Sequence, residues 1–288
     1  MTPFDNVDLH CHTSASDGRL SPEALLELAV DRGIDLLAIT DHDNAAGYRQ
    51  AREILASRAA DFSGLTLLSG VEFSTLWRGL NIHLVGLGMD VDSDAFVAAE
   101  QQQAAARGVR AKTIAERLCK KGLPDVYQAA LDMASSPTAI GRPHFAQALI
   151  NAGVVKDFDE AFNKWLGSGK IGDVKVMWPT VAEAVDWIKG AGGVAVLAHP
   201  HKYKMTRTKL CDLLAEFSAA GGEAMEIAFC QQRGDEQRDL ARLARQFELA
   251  ASRASDYHGD HMPWNALGKA NQIVTGVTPV WEKFLLGR

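Results

Sequence analysis

The sequence predicts an α/β fold in which helices cover parallel strands, arranged either as an open sheet or as a closed barrel. Short apolar runs alternate with longer amphipathic stretches, which is typical of repeated β-helix-β units. Histidines and acidic residues stand at the ends of the apolar runs, and one long helical stretch interrupts the alternation. With 288 residues, 47% of them hydrophobic, the chain is long enough to bury a sizeable core.

The predicted strands alternate with helices whose ends are marked in the sequence. Ser21 is a suitable N-cap for the first helix, Pro22 fits its first position, and Gly33 ends it. A later helix, TVAEAVDWIKGAGG, places Val181 and Val185 on one face. The strands themselves are predicted in NVDLHCH, DLLAITDH, LTLLSGVEFS, LNIHLVGL, GVAVLAHP, AMEIAFC and LAASRASDYH.

The alternation stops between about residues 97 and 178. The stretches AAEQQQAAARGVRAKTIAERLCKK, GRPHFAQALINAG and DFDEAFNKWLGSG predict helices, with no strand between them. We therefore expect a main domain formed by residues 1–97 and 179–288, with a helical insertion over residues 98–178.

Charge and composition exclude several classes of function. The formal net charge of −6 disfavours coating of duplex nucleic acid, whereas residues 99–178 carry 11 Lys and Arg against 8 Asp and Glu and permit a short strand. The sequence begins without a signal-peptide pattern and contains no run approaching the roughly 18 apolar residues of a membrane span. The four cysteines form no CxxC pair. We expect a cytoplasmic protein with reduced thiols and no membrane partner.

Six of the nine histidines follow or lie within predicted strands. His10 and His12 point to one face of the first strand, because side chains alternate along a strand. The carboxyl ends of parallel strands meet at one rim, where active sites form. Imidazoles and carboxylates without thiolates suit Mn, Fe, Zn or Co. About nine candidate ligands exceed the needs of one ion, so we expect two or three divalent ions bridged by a carboxylate such as Glu72.

Six motifs then resemble a known family. DLHCHT, TDHD, GVEFS, NIHLVGL, AHP and SDYH, in this order, are similar to the motifs of the PHP (polymerase and histidinol phosphatase) phosphoesterases. GRPHFAQAL, AMEIAFCQQ and PWNALGK resemble the bacterial branch that contains nucleoside 3',5'-bisphosphate phosphatases and 5'-to-3' exoribonucleases. The resemblance implies a distorted (β/α)7 barrel with a helical cap and a trinuclear metal site. Manganese is the expected metal, with Fe or Zn as alternatives.

The resemblance also implies a role for each ligand. It assigns His10, His12, Glu72 and Asp256 to one ion, Glu72, His83 and His199 to a second, and Asp17, His42 and His258 to a third. Asp17 stands where other branches of the family often have histidine. Asp8 and Asp41 are expected to orient histidines without binding metal.

Basic residues near these motifs are candidates for binding substrate. In GRPH, Arg142 and His144 would lie in the cap, where a guanidinium can hold a second phosphate with two hydrogen bonds. Lys202 and Arg207 belong to the basic run HKYKMTRTK, and His201 could bind phosphate or protonate the leaving group. Core packing is expected for most tryptophans, with base stacking as the alternative for Trp77, Trp165 and Trp264.

We predict a metal-dependent phosphoesterase that removes the 3'-phosphate of nucleoside 3',5'-bisphosphates, such as adenosine 3',5'-bisphosphate, to leave the 5'-monophosphate. Hydroxide held by the ions would attack phosphorus, with Glu72 as the bridging carboxylate. One alternative is a 5'-to-3' exoribonuclease acting on short 5'-phosphorylated RNA. A second is an amidohydrolase-type deaminase, which SDYH and Glu72 fit less well. A binding module with a vestigial metal site is disfavoured, since competent residues fill all nine positions.

Overall fold

Seven strands form a nearly closed barrel in the computed structural model, which describes residues 4–134, 136, 139–175 and 178–285. Backbone hydrogen bonds join the first strand to the segment after the last, since His12 N donates to Tyr257 O and Asp256 N donates to His10 O, both at 2.9 Å. The predicted barrel is thereby confirmed. Its strands, neighbours in chain order, are β1 (Val7–Cys11), β2 (Leu36–Ile39), β3 (Thr66–Trp77), β4 (Leu80–Leu87), β5 (Val194–Leu197), β6 (Ala224–Ala228) and β7 (Ala250–Arg253).

Strand β4 runs antiparallel to both of its neighbours, whereas the other paired strands run parallel. Arg78 and Gly79 alone connect β3 to β4, and both have positive φ. A two-residue turn of this kind makes a hairpin and is too short for the helical crossover that parallel strands need. β4 thus differs from the parallel strand that the alternation predicts. Its beginning, where His83 lies, faces the rim at which the neighbouring strands end.

The helices bury apolar faces against the sheet. The Ser21 side chain accepts a hydrogen bond from Ala24 N at the start of the first helix, as the sequence predicts. Val181, Val185 and Ile188 pack into a core shared with β3 and β4. No helix in the described ranges is long and apolar enough to cross a membrane. The helices are α1 (Pro22–Asp31), α2 (Ala46–Ser57), α3 (Asp94–Cys119), α4 (Tyr127–Asp132), α5 (Arg142–Asn151), α6 (Phe158–Ala161), α7 (Val181–Gly190), α8 (Arg207–Ala219), α9 (Gly234–Gln246) and α10 (Glu282–Leu285), with a π-helical turn at Phe162–Leu166 and 3₁₀ turns at Pro200–Lys202 and Pro263–Asn265.

A second hydrophobic core lies within the helical region between β4 and α7. Phe96, in the first turn of α3, packs with Phe73 in the barrel core, whereas Ile114, farther along α3, packs with Phe145 of α5. The single 26-residue helix α3 therefore belongs to both cores. The described residues of this region contain helices and no strand. The boundaries at 97/98 and 178/179 stay a prediction.

Candidate metal centre

One rim of the barrel gathers histidine and acidic side chains from six of the seven strands or from the segments that follow them. All nine residues that the sequence singles out as ligands lie in this cluster. They are His10 from β1, His12 and Asp17 after β1, His42 after β2, Glu72 from β3, His83 from β4, His199 after β5, and Asp256 and His258 after β7.

Glu72 lies at the centre, 1% exposed, with both carboxylate oxygens facing imidazoles. Burial by itself would raise its pKa, but His42, His10 and His83 hold the pKa well below the ordinary value for a glutamate. Glu72 is therefore an ionised carboxylate whose two oxygens each face imidazole nitrogens, as a ligand that bridges two metal ions requires. Its Oε2 lies 3.2 Å from Nε2 of His10 and of His12 and 3.1 Å from Nδ1 of His42, and its Oε1 lies 2.7 Å from Nδ1 of His83 and 2.8 Å from Nε2 of His199.

Two further carboxylates flank Glu72. Asp256 Oδ1 lies 3.3 Å from His12 Nε2 and 3.5 Å from His10 Nε2. Asp17 Oδ1 lies 3.4 Å from His258 Nε2. Both carboxylates are mostly buried, and both lie within 4 Å of His12 and His258, so the negative charges lie close to the imidazoles of the cluster.

The donor atoms fall into three groups, each with its members within 4.8 Å of one another, that could hold a metal ion. One group combines Glu72 and His83 with His42, whereas the resemblance implies His199 in that place. His199 belongs to none of the three groups, and its Nε2 lies 2.8 Å from Glu72 Oε1. The assignment of each ligand to an ion stays a prediction. The groups are His10, His12, Glu72 and Asp256; His12, Asp17, His42 and His258; and His42, Glu72 and His83.

The hydrogen bonding around His10 fits a metal centre. His10 Nδ1 donates to Glu226 Oε1 at 2.6 Å, because an ionised carboxylate can only accept. With Nδ1 engaged by Glu226, Nε2 is the His10 nitrogen that faces Glu72 Oε2, at 3.2 Å. This is the arrangement in which proteins present an imidazole nitrogen to a metal ion. Among the described residues, the buried Nδ1 of His42 has no hydrogen-bond partner, although it lies 3.1 Å from Glu72 Oε2. The donor set therefore fits divalent metal ions.

Sequence reasoning missed Glu226. Its Oε2 also accepts from His199 N at 2.5 Å, so one buried carboxylate positions two predicted ligands. The available signal was a single charged residue in the otherwise apolar strand AMEIAFC.

Asp8 and Asp41, which the sequence predicts to orient histidines without binding metal, accept hydrogen bonds from backbone and hydroxyl groups. Asp8 accepts from Ser255 N at 3.0 Å and from Gly268 N at 2.7 Å. Asp41 accepts from Thr13 N at 2.8 Å and from Ser16 Oγ at 2.6 Å. Asp8 also accepts from His10 N at 3.4 Å, and Ser16 Oγ lies 3.5 Å from His12 Nδ1. The role of both carboxylates in orienting histidines stays a prediction.

Strained backbone lies at three strand ends of this rim. Asp43, His199 and Asp256 have φ values of 56°, 28° and 53°, in the left-handed region that residues other than glycine rarely adopt. Such strain needs compensation from the surrounding contacts. The hydrogen bond from His199 N to Glu226 is one such contact, and Asp256 N donates to His10 O.

Three arginines line a cavity of about 120 Å³ together with Asp17, His42 and His83. This arginine cavity, defined by Arg107, Arg110 and Arg142, lies between the helical region and the cluster. Arg107 Nη2 lies 2.6 Å from Asp43 Oδ2.

Arg110 is 7% exposed, and its Nε donates to Val174 O at 3.2 Å. No carboxylate among the described residues lies within ion-pair distance of Arg110. Burial, with Arg142 and Arg107 nearby, lowers its pKa to about 9, so it remains a cation at neutral pH. The sequence analysis missed Arg107 and Arg110, whose spacing in RGVR places them on one face of α3.

The predicted substrate residues occupy different places. Arg142 lines the arginine cavity, and its Nη1 donates to Leu166 O at 3.2 Å. His144 instead accepts from Gly141 N at 3.0 Å and so caps α5. Lys202 forms an ion pair with Asp256. Arg207 is exposed in the first turn of α8 and lines none of the cavities found around the cluster in the described structure.

A larger cavity of about 530 Å³ adjoins Asp256 and His258. His201, Lys202 and Trp264 also line it, and we name it the tryptophan cavity. The His201 ring lies 3.9 Å, between centroids, from the ring of Phe229. Trp264 is 53% exposed, whereas Trp77 is buried in the barrel core and Trp165 packs against the second core.

Comparisons with known proteins agree with this geometry. The family model of the PHP domain matches residues 8–154. A 5'-3' exoribonuclease of Haemophilus influenzae is 42% identical over 277 residues, covering 96% of this chain and 98% of the relative. A 3',5'-nucleoside bisphosphate phosphatase of Chromobacterium violaceum is 36% identical, covering 96% of each chain.

A solved structure extends the similarity to the fold. An amidohydrolase from Chromobacterium violaceum, with bound sulfate and no metal, superposes with a TM-score of 0.88 at 36% identity, covering 98% of this chain and 96% of that one. The Haemophilus influenzae exoribonuclease and the Chromobacterium violaceum phosphatase are both named for the cleavage of phosphoric esters. The match over the first four strands and part of the helical region, the buried donor set at the rim and these relatives together show that the chain belongs to the PHP family and is a metal-dependent phosphoesterase.

Proposed function

We propose that this enzyme removes the 3'-phosphate of nucleoside 3',5'-bisphosphates and releases the nucleoside 5'-monophosphate. The observation that carries the proposal is Arg110, a buried cation in a cavity that adjoins the metal-ligand cluster, for which the described part of the chain provides no carboxylate within ion-pair distance. A buried unpaired charge is costly, so a site that keeps one is suited to an anion that arrives with the substrate.

The two anionic sites match a substrate with two phosphates. The scissile 3'-phosphate would lie against the cluster around Glu72, and the 5'-phosphate would enter the arginine cavity. Arg110 and Arg142 present planar guanidinium groups, which hold phosphate oxygens with paired hydrogen bonds. A cavity of about 120 Å³ suits a phosphate better than a nucleobase.

Divalent ions, when bound, supply positive charge for the phosphate oxygens and acidify water. The residues of this chain orient those partners. Glu72 would bridge two ions, with the other eight predicted ligands arranged around it, and Glu226 would hold His10 in the tautomer that leaves Nε2 free to bind. Manganese stays the proposed metal, since imidazole and carboxylate donors suit it.

The comparisons favour nucleotide chemistry over the deaminase alternative. The relatives that cover 96% of this chain are named for phosphoric ester cleavage. The similar solved structure, although named an amidohydrolase, holds sulfate, which resembles phosphate in shape and charge. The second candidate is a 5'-to-3' exoribonuclease on short 5'-phosphorylated RNA. The tryptophan cavity favours it, because a chain on the far side of the scissile phosphate has room there.

The test compares three substrates with Mn²⁺-loaded enzyme: adenosine 3',5'-bisphosphate, a 5'-phosphorylated RNA pentamer and adenosine 5'-monophosphate. We expect rapid phosphate release from the bisphosphate and none from the monophosphate. Arg142→Ala should raise KM for the bisphosphate, and Arg207→Ala, which removes an exposed arginine outside the cavities, serves as the matched control. Equal release from the monophosphate would contradict the proposal. Mononucleotide release from the pentamer at a comparable rate would establish the second candidate.

A further inference from the structure

Trp264 is a large apolar side chain with an unusual degree of exposure, and it stands directly beside the cluster. The short 3₁₀ turn that carries it is fastened to a predicted ligand, because Asn265 Nδ2 donates to Asp256 O at 3.2 Å. The indole is thereby held at the tryptophan cavity with 53% of its surface exposed.

The surroundings of Trp264 suit a nucleotide. Lys202 and His201 line the same cavity and supply N–H donors for ribose or phosphate oxygens. An aromatic face beside cationic and polar groups is the combination with which proteins bind single-stranded nucleic acid, since every base offers a π-face for stacking.

The tryptophan cavity and the arginine cavity are lined by different residues of the cluster. Asp256 and His258 line the first, Asp17, His42 and His83 line the second, and no described residue lines both. If a 5'-phosphate occupies the arginine cavity and the next phosphate lies on the cluster, the chain beyond that phosphate continues toward Trp264.

We propose that Trp264 stacks on the first nucleobase on the 3' side of the scissile phosphate of a short single-stranded RNA. This inference rests on the proposed function, because the arginine cavity has to hold the 5'-phosphate. In the reaction water adds its oxygen to phosphorus, the bond from phosphorus to the 3' oxygen breaks, and that oxygen leaves with a proton. The products are a nucleoside 5'-monophosphate and an RNA one nucleotide shorter that keeps the phosphate on its new 5' end.

This role predicts a substrate-selective effect. A nucleoside 3',5'-bisphosphate has no nucleotide beyond its 3'-phosphate, so it reaches the cluster and the arginine cavity without touching Trp264. An RNA makes the additional stacking contact. Replacing the indole should therefore weaken the RNA and leave the bisphosphate unchanged.

The experiment uses Mn²⁺-loaded enzyme and a 5'-phosphorylated RNA pentamer in which a methylene group replaces the 3' oxygen of the first linkage, so that the RNA binds without being cleaved. Fluorescence anisotropy of its labelled 3' end gives Kd for wild type, Trp264→Leu, Trp264→Phe and the control Val109→Ala, which changes an exposed apolar residue of α3. We expect Trp264→Leu to raise Kd about tenfold and Trp264→Phe to stay within about threefold of wild type. Circular dichroism checks that the variants fold.

Hydrolysis of adenosine 3',5'-bisphosphate and of the ordinary pentamer is measured in parallel. We expect unchanged kcat/KM for the bisphosphate in Trp264→Leu and a higher KM for the pentamer. Equal losses on both substrates, an unchanged Kd, or no binding of the pentamer by wild type would each overturn the inference. Failure of wild type to cleave the bisphosphate would instead refute the proposed main activity, while the anisotropy would still report on Trp264.

Discussion

The arginine cavity and the tryptophan cavity border the same cluster and differ in size and chemistry. The first encloses about 120 Å³ between the helical region and the barrel and is lined by three arginines. The second encloses about 530 Å³ and carries an exposed indole with a single lysine that is already paired to Asp256. One cavity therefore suits a compact anion, and the other suits a flat, larger group.

This difference between the cavities would fix the orientation of a substrate at the cluster. A phosphate can be recognised by charge alone, which requires little space and strong donors. A nucleobase is recognised by contact area, which requires space and an aromatic face. A substrate with a terminal phosphate at one end and a base at the other would bind in one orientation, as cleavage from a 5' end requires.

The largest effect is expected from replacing Glu72, because both cavities border the cluster that has Glu72 at its centre. Glu72→Gln should lower kcat/KM by about a thousandfold or more for the bisphosphate and the RNA alike, because a neutral amide cannot bridge two cations as a carboxylate does. Steady-state kinetics with Mn²⁺ would measure it, with Glu236→Gln on exposed α9 as the control. Retention of activity on one substrate would show that the two cavities serve separate centres.

The next effect should be confined to substrates with a 5'-phosphate. Arg110→Met removes the buried charge while keeping most of the side-chain volume, and we expect kcat/KM for the bisphosphate to fall about tenfold to a hundredfold. Thermal stability should be unchanged or higher, because an unpaired buried cation is lost. Lys112→Met, an exposed cation on the same helix, is the matched control. A large loss of stability with unchanged KM would instead indicate a purely structural arginine.

An effect of about the same size, on metal affinity, is expected from the residue behind the cluster. Glu226→Gln should reduce metal affinity about tenfold to a hundredfold, because Nδ1 of His10 loses its charged acceptor and the backbone at His199 loses its anchor. Metal titration followed by calorimetry would measure this without relying on activity. Unchanged affinity would mean that the positions of His10 and His199 are fixed by the strands alone.

The smallest effect separates capping from substrate binding in the helical region. His144→Ala should lower the free energy of unfolding by about 1 kcal/mol, because α5 loses the acceptor for Gly141 N. Denaturant unfolding would measure it, with KM for the bisphosphate measured beside it. A raised KM with an unchanged free energy of unfolding would indicate that His144 contributes to phosphate binding.

The sequence by itself determined the barrel's strands and which residues are its candidate metal ligands. The strands and the convergence of most histidines follow from local rules, because alternation along a strand places His10 and His12 on one face and because parallel strands end at one rim. The full set of ligands, Asp17 among them, was implied by the resemblance to the PHP family. The sequence did not indicate a role for Glu226, because a single acidic residue in an apolar strand has no partner nearby along the chain. Its two hydrogen-bond donors, His10 and His199, come from β1 and from the segment after β5.

Only the tertiary structure determined where the proposed substrate-binding residues lie. Arg107 and Arg110 stand on one helix with Arg142 on another, and the packing of α3 across both hydrophobic cores brings them over the cluster. The same packing directs His144 to its own helix and leaves Arg207 outside the cavities. The candidate metal ligands are spaced mainly by the regular geometry of strands, whereas the proposed substrate contacts depend on how separate elements pack, which no local pattern encodes.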